Sequence, residues 1–138
     1  MMVLVDTSIW SLMLRRRRVD LGEQERAVTQ ALVDLIQDSR AQLMGLVRQE
    51  LLSGIRDQAQ FRQIRDVLRH FPDTQLGIED YEMAGSMSNS CRSRGVASTV
   101  TDMLICAVSS RRGWQVFTRD RDFERYEKVL PIVRYGLF

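Results

Sequence analysis

A handful of carboxylates carries whatever chemistry this sequence can do. Asp6 ends the apolar run of VLVD, and the hydroxyl residues Thr7 and Ser8 follow it. Aspartate at such a place is a good helix N-cap. The carboxyl end of a parallel strand is equally where open α/β sheets bind ligands. Asp102 lies in VTDMLICAV, in the first turn of the most apolar helical stretch. A helix N-terminus favours a carboxylate, yet Ser98, Thr99 and Thr101 already offer capping oxygens there. Asp120 and Asp122 follow the strand-like WQVFT in TRDRDFERY, interleaved with Arg119, Arg121 and Arg125. Alone, they read as a surface loop. Glu50 shares a helical stripe with Leu46, Val47, Leu51 and Gly54, so helix geometry turns it toward the protein or along a cleft. The structural alternative for Glu50 is an ion pair with Arg48 or Arg56.

Together these acids imply more than each does alone. A sheet that brings Asp6, Glu50, Asp102 and Asp120 to one edge concentrates negative charge in a partly desolvated place. Like charges so arranged cannot all stay ionised without compensation. Mg²⁺ or Mn²⁺ supplies it, preferring oxygen ligands, and such an ion polarises phosphoryl groups and acidifies water. Other metals fit poorly. His70 is the single histidine, and Cys91 and Cys106 lack CxxC spacing, which argues against a zinc site and a disulfide framework. Most other members of the set of 18 acidic residues read as a solvated face, among them Glu23, Glu25, Asp57, Asp66, Glu79 and Asp80.

The elements that must position these groups follow from periodicity. Met2–Val5 is a continuous apolar run, as expected of a fully buried parallel strand. Helices are expected from Ser8 to about Leu14, over Glu23 to Gln37, around Leu46–Gly54, around Phe61–Phe71 up to Pro72, and from Ile78 to about Ser93. Val100, Met103, Leu104, Ala107 and Val108 repeat at helical spacing, with Ile105 and Cys106 filling the other side. That helix should be central, and Gly113 should end it. Short strands are expected at Gln42–Met44, Thr74–Leu76, Gln115–Thr118 and Leu130–Val133, with a short helix or turn over Arg119–Tyr126. Strands alternating with helices imply an α/β fold with a parallel sheet covered on both faces.

Length and composition bound the rest. The 138 residues, 44% hydrophobic and 28% charged, suit one domain over residues 1–138 with a real core. No apolar run reaches the length of a membrane span, and no basic region precedes the first apolar stretch, so a cytoplasmic location is expected. Net charge is only +2, but one lysine, Lys128, stands against nineteen arginines. Arginine forks onto phosphate and carboxylate; codon preference explains the ratio as well. Arg15, Arg16, Arg17 and Arg18 form a basic run after the first helix, which reads as well as a solvated turn.

Four segments in order resemble the PIN domain, specifically the VapC-type ribonuclease toxins of bacterial toxin–antitoxin pairs: VLVDTSIW, RQELLSG, RGVASTVTDMLICAV and TRDRDFERY. The resemblance spans essentially the whole chain. It implies a three-layer α/β/α sandwich with a central parallel β-sheet, and Mg²⁺- or Mn²⁺-dependent cleavage of RNA such as tRNA, rRNA or mRNA. By motif it assigns metal binding and catalysis to Asp6, Glu50, Asp102 and Asp120. Thr7 or Ser8 would position water, Thr118 would orient the fourth acid, and Asp122 stands where an acid is frequent. Glu50 is open to two roles, metal ligand or general base through water. The resemblance further implies a homodimer and a VapB-like antitoxin that inserts a segment into the acidic cleft; a guanidinium can fork onto carboxylates there.

Two rivals remain at this point. A non-catalytic PIN-like module would bind RNA or protein without cutting. An aspartyl-phosphate phosphatase or receiver domain would also place an aspartate after a buried strand, but it needs a lysine near the phosphate. Lys128 lies well past the end of the Gln115–Thr118 strand, and Ser8 stands where the phosphatase pattern wants a second acid.

Overall fold

The computed structural model describes residues 1–136. Its centre is β1 (Val3–Val5), whose three residues are all fully buried. β2 (Ala41–Gln42) and β3 (Gln115–Phe117) flank it in the order β2-β1-β3, both parallel to it. Val3 pairs with Ala41 and Gln115, and Val5 with Phe117. A parallel strand needs cover on both faces, and an uninterrupted Val-Leu-Val run suits that place.

The helices are α1 (Thr7–Leu14), α2 (Glu23–Gln37), α3 (Gly45–Leu52), α4 (Gln58–Leu68), α5 (Ile78–Ser93), α6 (Val100–Arg112) and α7 (Asp122–Tyr126), with a 3₁₀ turn at Arg18–Asp20. α1 packs on α2 and α3, and α3 on α4; α5 packs on α6, which lies against β1 and β3. The result is the α/β/α sandwich expected from the sequence. α6 is the central helix: every residue from Asp102 to Ser109 is buried. Gly113 terminates it at φ +68°, a left-handed conformation that glycine adopts without strain.

Several expectations change in detail. The strand expected at Gln42–Met44 starts earlier and is two residues long. The segment Thr74–Leu76 forms no strand; a single parallel bridge joins Leu43 to Asp73 instead. Leu130–Val133 is likewise no strand. Pro131 has no N–H for a ladder, and among the described residues the segment's pairing with β3 is a single bridge of Val116 with Arg134, beside which Tyr135 meets Phe117 edge-on. α4 ends at Leu68, ahead of Phe71 and Pro72, and α3 ends at Leu52, leaving Gly54 outside at φ +87°. The last helix is shorter than expected, beginning at Asp122.

Asp80 departs most from its expected setting. Its sequence context suits a solvated face, but it is 0% exposed. Its carboxylate accepts the Gly77 N–H at 2.9 Å, satisfying the N-cap residue of α5 from the third helical position. It also accepts Arg111 at 2.6 Å and Arg112 at 2.9 and 3.1 Å. Arg111 reaches the neighbouring Glu79 as well, and Arg112 bonds the Gln75 carbonyl and stacks over Trp114. These arginines hold the Asp80 carboxyl well below the usual carboxylate range. A buried carboxylate persists because donors surround it.

Candidate active site

The site grows from the tip of β1. Asp6 continues the sheet, donating its N–H to the Phe117 carbonyl at 2.9 Å. It then occupies the N-cap position of α1, yet its side chain makes no cap hydrogen bond. The residue is 6% exposed, and its carboxylate turns instead toward the end of β3. Its Oδ2 accepts Thr118 Oγ1 at 2.8 Å and Ser8 Oγ at 2.9 Å. Burial pushes its pKa up, against those two hydroxyls and the Thr7 backbone, while the charge of Asp120 raises it further. So the N-cap residue is Asp6 by position, and its carboxylate is left for other work.

The two hydroxyls knit the strand ends together. Thr118 Oγ1 accepts the Asp120 N–H at 3.0 Å, and Ser8 Oγ accepts the Arg119 N–H at 3.0 Å. Thr118 was expected to orient the Asp120 carboxylate. It orients Asp6 and fixes the Asp120 backbone, because its hydroxyl sits between the two strand ends. Ser8 likewise serves Asp6.

Asp102 is placed by α6. Thr99, one of the three offered oxygens, is the N-cap and accepts the Asp102 N–H at 3.1 Å. The Asp102 side chain is free of capping and faces the sheet edge, with the residue 8% exposed. Tyr126, buried on α7, donates its hydroxyl to Asp102 Oδ2 at 2.8 Å. Burial pushes the Asp102 carboxyl up to about 6, the Tyr126 and Thr99 hydrogen bonds oppose it, and the charges of Asp6 and Asp120 add to it. Tyr126 was missed in the sequence. Phe123 and Tyr126 stand at i, i+3 in DFERY, both are buried and they meet edge-on. A buried tyrosine hydroxyl needs a partner, and that was the available signal.

The loop after β3 completes the arrangement. Asp102, Asp120 and Asp122 each present a carboxylate oxygen within 4.8 Å of the others. Asp120 Oδ1 accepts the Asp122 N–H at 2.9 Å, and Asp122 is paired with Arg125 at the outer rim. Three hard oxygen donors converging beside a fourth buried carboxylate suit a divalent cation such as Mg²⁺ or Mn²⁺.

Glu50 lies outside that convergence. It is exposed rather than turned into the protein, because the buried stripe of α3 runs through Val47 and Leu51 and leaves Glu50 on its flank. It accepts Thr7 Oγ1 at 2.7 Å, so it is tied to the residue after Asp6. The ion pair considered for it does not form: Arg48 goes to Asp73 at 2.8 Å and to the Leu68 and Phe71 carbonyls. Arg15, Arg16, Arg17 and Arg18 are all exposed; Arg16 reaches Glu25 at 3.5 Å, and Arg119 reaches the same oxygen at 3.3 Å. His70 is exposed and bonds the Val67 carbonyl. Cys91 and Cys106 are free and buried. No described helix is long and apolar enough to cross a membrane.

Solved structures of similar shape exist. FitAcB from Neisseria gonorrhoeae superposes with a TM-score of 0.75 at 18% identity, covering 98% of this chain and 97% of that one. VapBC2 from Rickettsia felis, bound to a DNA fragment from its promoter, gives 0.73 at 12% identity, with full coverage of both chains. VapBC-5 of Mycobacterium tuberculosis gives 0.64 at 16% identity, covering 96% and 97%. At such identities the likeness speaks for the fold. Among curated proteins none matches the chain. The family model described as "PIN domain" matches residues 3–129, from the first residue of β1 to beyond α7. The chain therefore belongs to the PIN domain family.

Proposed function

We propose that this protein is a Mg²⁺- or Mn²⁺-dependent endoribonuclease, acting as the toxin of a toxin–antitoxin pair. The observation that carries the reading is the convergence of Asp102, Asp120 and Asp122 within 4.8 Å beside the buried Asp6. Asp6, Asp102 and Asp120 are assigned to holding the cation, with Asp122 at the rim. When bound, a hard divalent ion supplies Lewis acidity toward a phosphate oxygen and toward water.

The chain's own residues do the rest. Ser8 and Thr118 hold the Asp6 carboxylate in one rotamer, and Tyr126 does the same for Asp102. Such outer partners keep ligands in place and are worth about 10- to 100-fold in metal affinity. Glu50, held by Thr7, acts either as a ligand or as the general base that takes a proton from the attacking water. Arg15 to Arg18 are assigned to the RNA backbone or to the antitoxin.

The toxin reading draws on the neighbours, several of which are VapBC assemblies. A VapB-like antitoxin would insert a guanidinium among the carboxylates, and a homodimer working in the cytoplasm completes the assignment. Inducing the wild type and Asp6→Asn in cells, then sequencing RNA ends, tests the reading. New ends at defined sites with the wild type alone support it. Identical ends from both contradict it.

A further inference from the structure

A cavity of about 340 Å³ opens beside the carboxylates and shares Thr118 and Asp120 with them. Its other walls are Gln24 in the first turn of α2, Arg119 and Arg121 on the loop after β3, Glu124 of α7, and Arg134. Three guanidiniums thus line one hollow adjoining the residues assigned to the cation.

Their engagements differ. Arg134 holds Glu127 through Nε and Nη2, both at 2.9 Å. Arg119 reaches Glu25 through Nη1 at 3.3 Å. Each retains further N–H groups, since a guanidinium has five. Arg121 is exposed, and its side chain makes no hydrogen bond or ion pair among the described residues. Glu25 and Glu127 therefore offset two of the three charges and leave the third. Glu124 and Asp120 oppose an anion here, and the charge of Asp120 is one that a bound cation offsets. Glu25 also binds Arg16, so the basic surface continues outward into the run Arg15–Arg18.

We infer that this cavity holds the phosphate next to the scissile one on a single RNA strand, with Arg121 as its main partner and Arg119 and Arg134 as flanking donors. The inference rests on the ribonuclease reading, but it concerns binding rather than cleavage. An RNA strand favours this placement over an acidic protein side chain for one reason. Its charges repeat along the backbone, so one phosphate can meet the carboxylate-held cation while the next reaches the guanidiniums. A planar guanidinium fork suits that second phosphate.

The test is binding of a short fluorescent single-stranded oligoribonucleotide, with Ca²⁺ in place of Mg²⁺, across a salt series. Wild type, Arg121→Gln and Arg121→Lys are compared. Arg121→Gln should weaken binding about tenfold and flatten the slope of log K against log salt by about 0.7, the value for one single-strand phosphate contact. Arg121→Lys should restore the slope but not the full affinity. The Mn²⁺-induced rise in Tm should be the same in all three. Unchanged affinity and slope in Arg121→Gln would overturn the inference. So would a loss of the Mn²⁺ shift, or unaltered RNA binding with lost antitoxin binding, which would make the cavity a protein contact. If the wild type bound RNA but cut none, the ribonuclease reading would fail while the Arg121 effect could still be read.

Discussion

Tyr126 donates its hydroxyl to Asp102 Oδ2 at 2.8 Å, and this bond joins α7 to the first turn of α6 beneath the acidic cleft. The bond lowers the Asp102 pKa against a burial effect that raises it. Removing the hydroxyl should therefore raise that pKa further and free the carboxylate to rotate. Tyr126→Phe is expected to weaken Mn²⁺ binding about 10-fold or more and to cost about 1–2 kcal/mol of stability. Isothermal titration of Mn²⁺ at several pH values checks this. The pH at which binding appears should move upward in the variant.

Asp102 also sets a pH dependence. Its folded pKa, about 6, lies above its ordinary value. Such a group contributes stability that is fully present below the unfolded value and lost as pH rises through the folded one. The metal-free protein should therefore lose stability, relative to Asp102→Asn, between about pH 4 and pH 7. Melting curves of the two proteins in chelator test this: the variant should gain on the wild type as pH rises. With Mn²⁺ added, the wild type should show little Tm shift at low pH and a large one above neutrality, and the variant should show little at either.

The Asp80 clamp should matter for folding alone. Its carboxylate is buried against Arg111 and Arg112, so Asp80→Ala leaves two cations without their shared partner. A loss of about 3 kcal/mol in urea unfolding is expected. The Mn²⁺-induced Tm shift should survive, since Asp80 contacts none of the cleft carboxylates. A loss of that shift would tie the clamp to the site.

Glu50 separates the two roles left open for it. If it is the general base, Glu50→Gln should lower kcat about 100-fold or more and leave Mn²⁺ affinity close to that of the wild type. Thr7→Val, which removes its hydrogen-bond donor, should give a smaller loss of kcat in the same direction. A parallel fall in Mn²⁺ affinity would make Glu50 a ligand.

The sequence made β1 and α6 plain because their burial is complete and local pattern reports it: a strand apolar at every position and a helix apolar on every side. Asp6, Asp102 and Asp120 could be placed at one edge because strand ends and helix starts in a parallel sheet share that edge. Partners far along the chain were hidden. Asp80 looked solvated because Glu79-Asp80 opens an ordinary helix, while the arginines that bury it lie at the other end of α6. Glu50 sat on an apolar stripe, but an eight-residue helix buries only the centre of that stripe. The edge strands dissolved into single bridges, where Pro131 and short pairings leave too few ladder bonds to define a strand.

The central claim is metal-assisted cleavage by the carboxylate cleft. Its most direct measurement is cleavage of RNA by purified protein in Mg²⁺ or Mn²⁺, compared with chelator and with Asp120→Asn, a variant whose fold is checked by its melting curve. The account predicts defined cleavage products with metal, none in chelator, and a loss of at least about 100-fold in Asp120→Asn. Undiminished cleavage by the folded variant, or cleavage that persists in chelator, would contradict it.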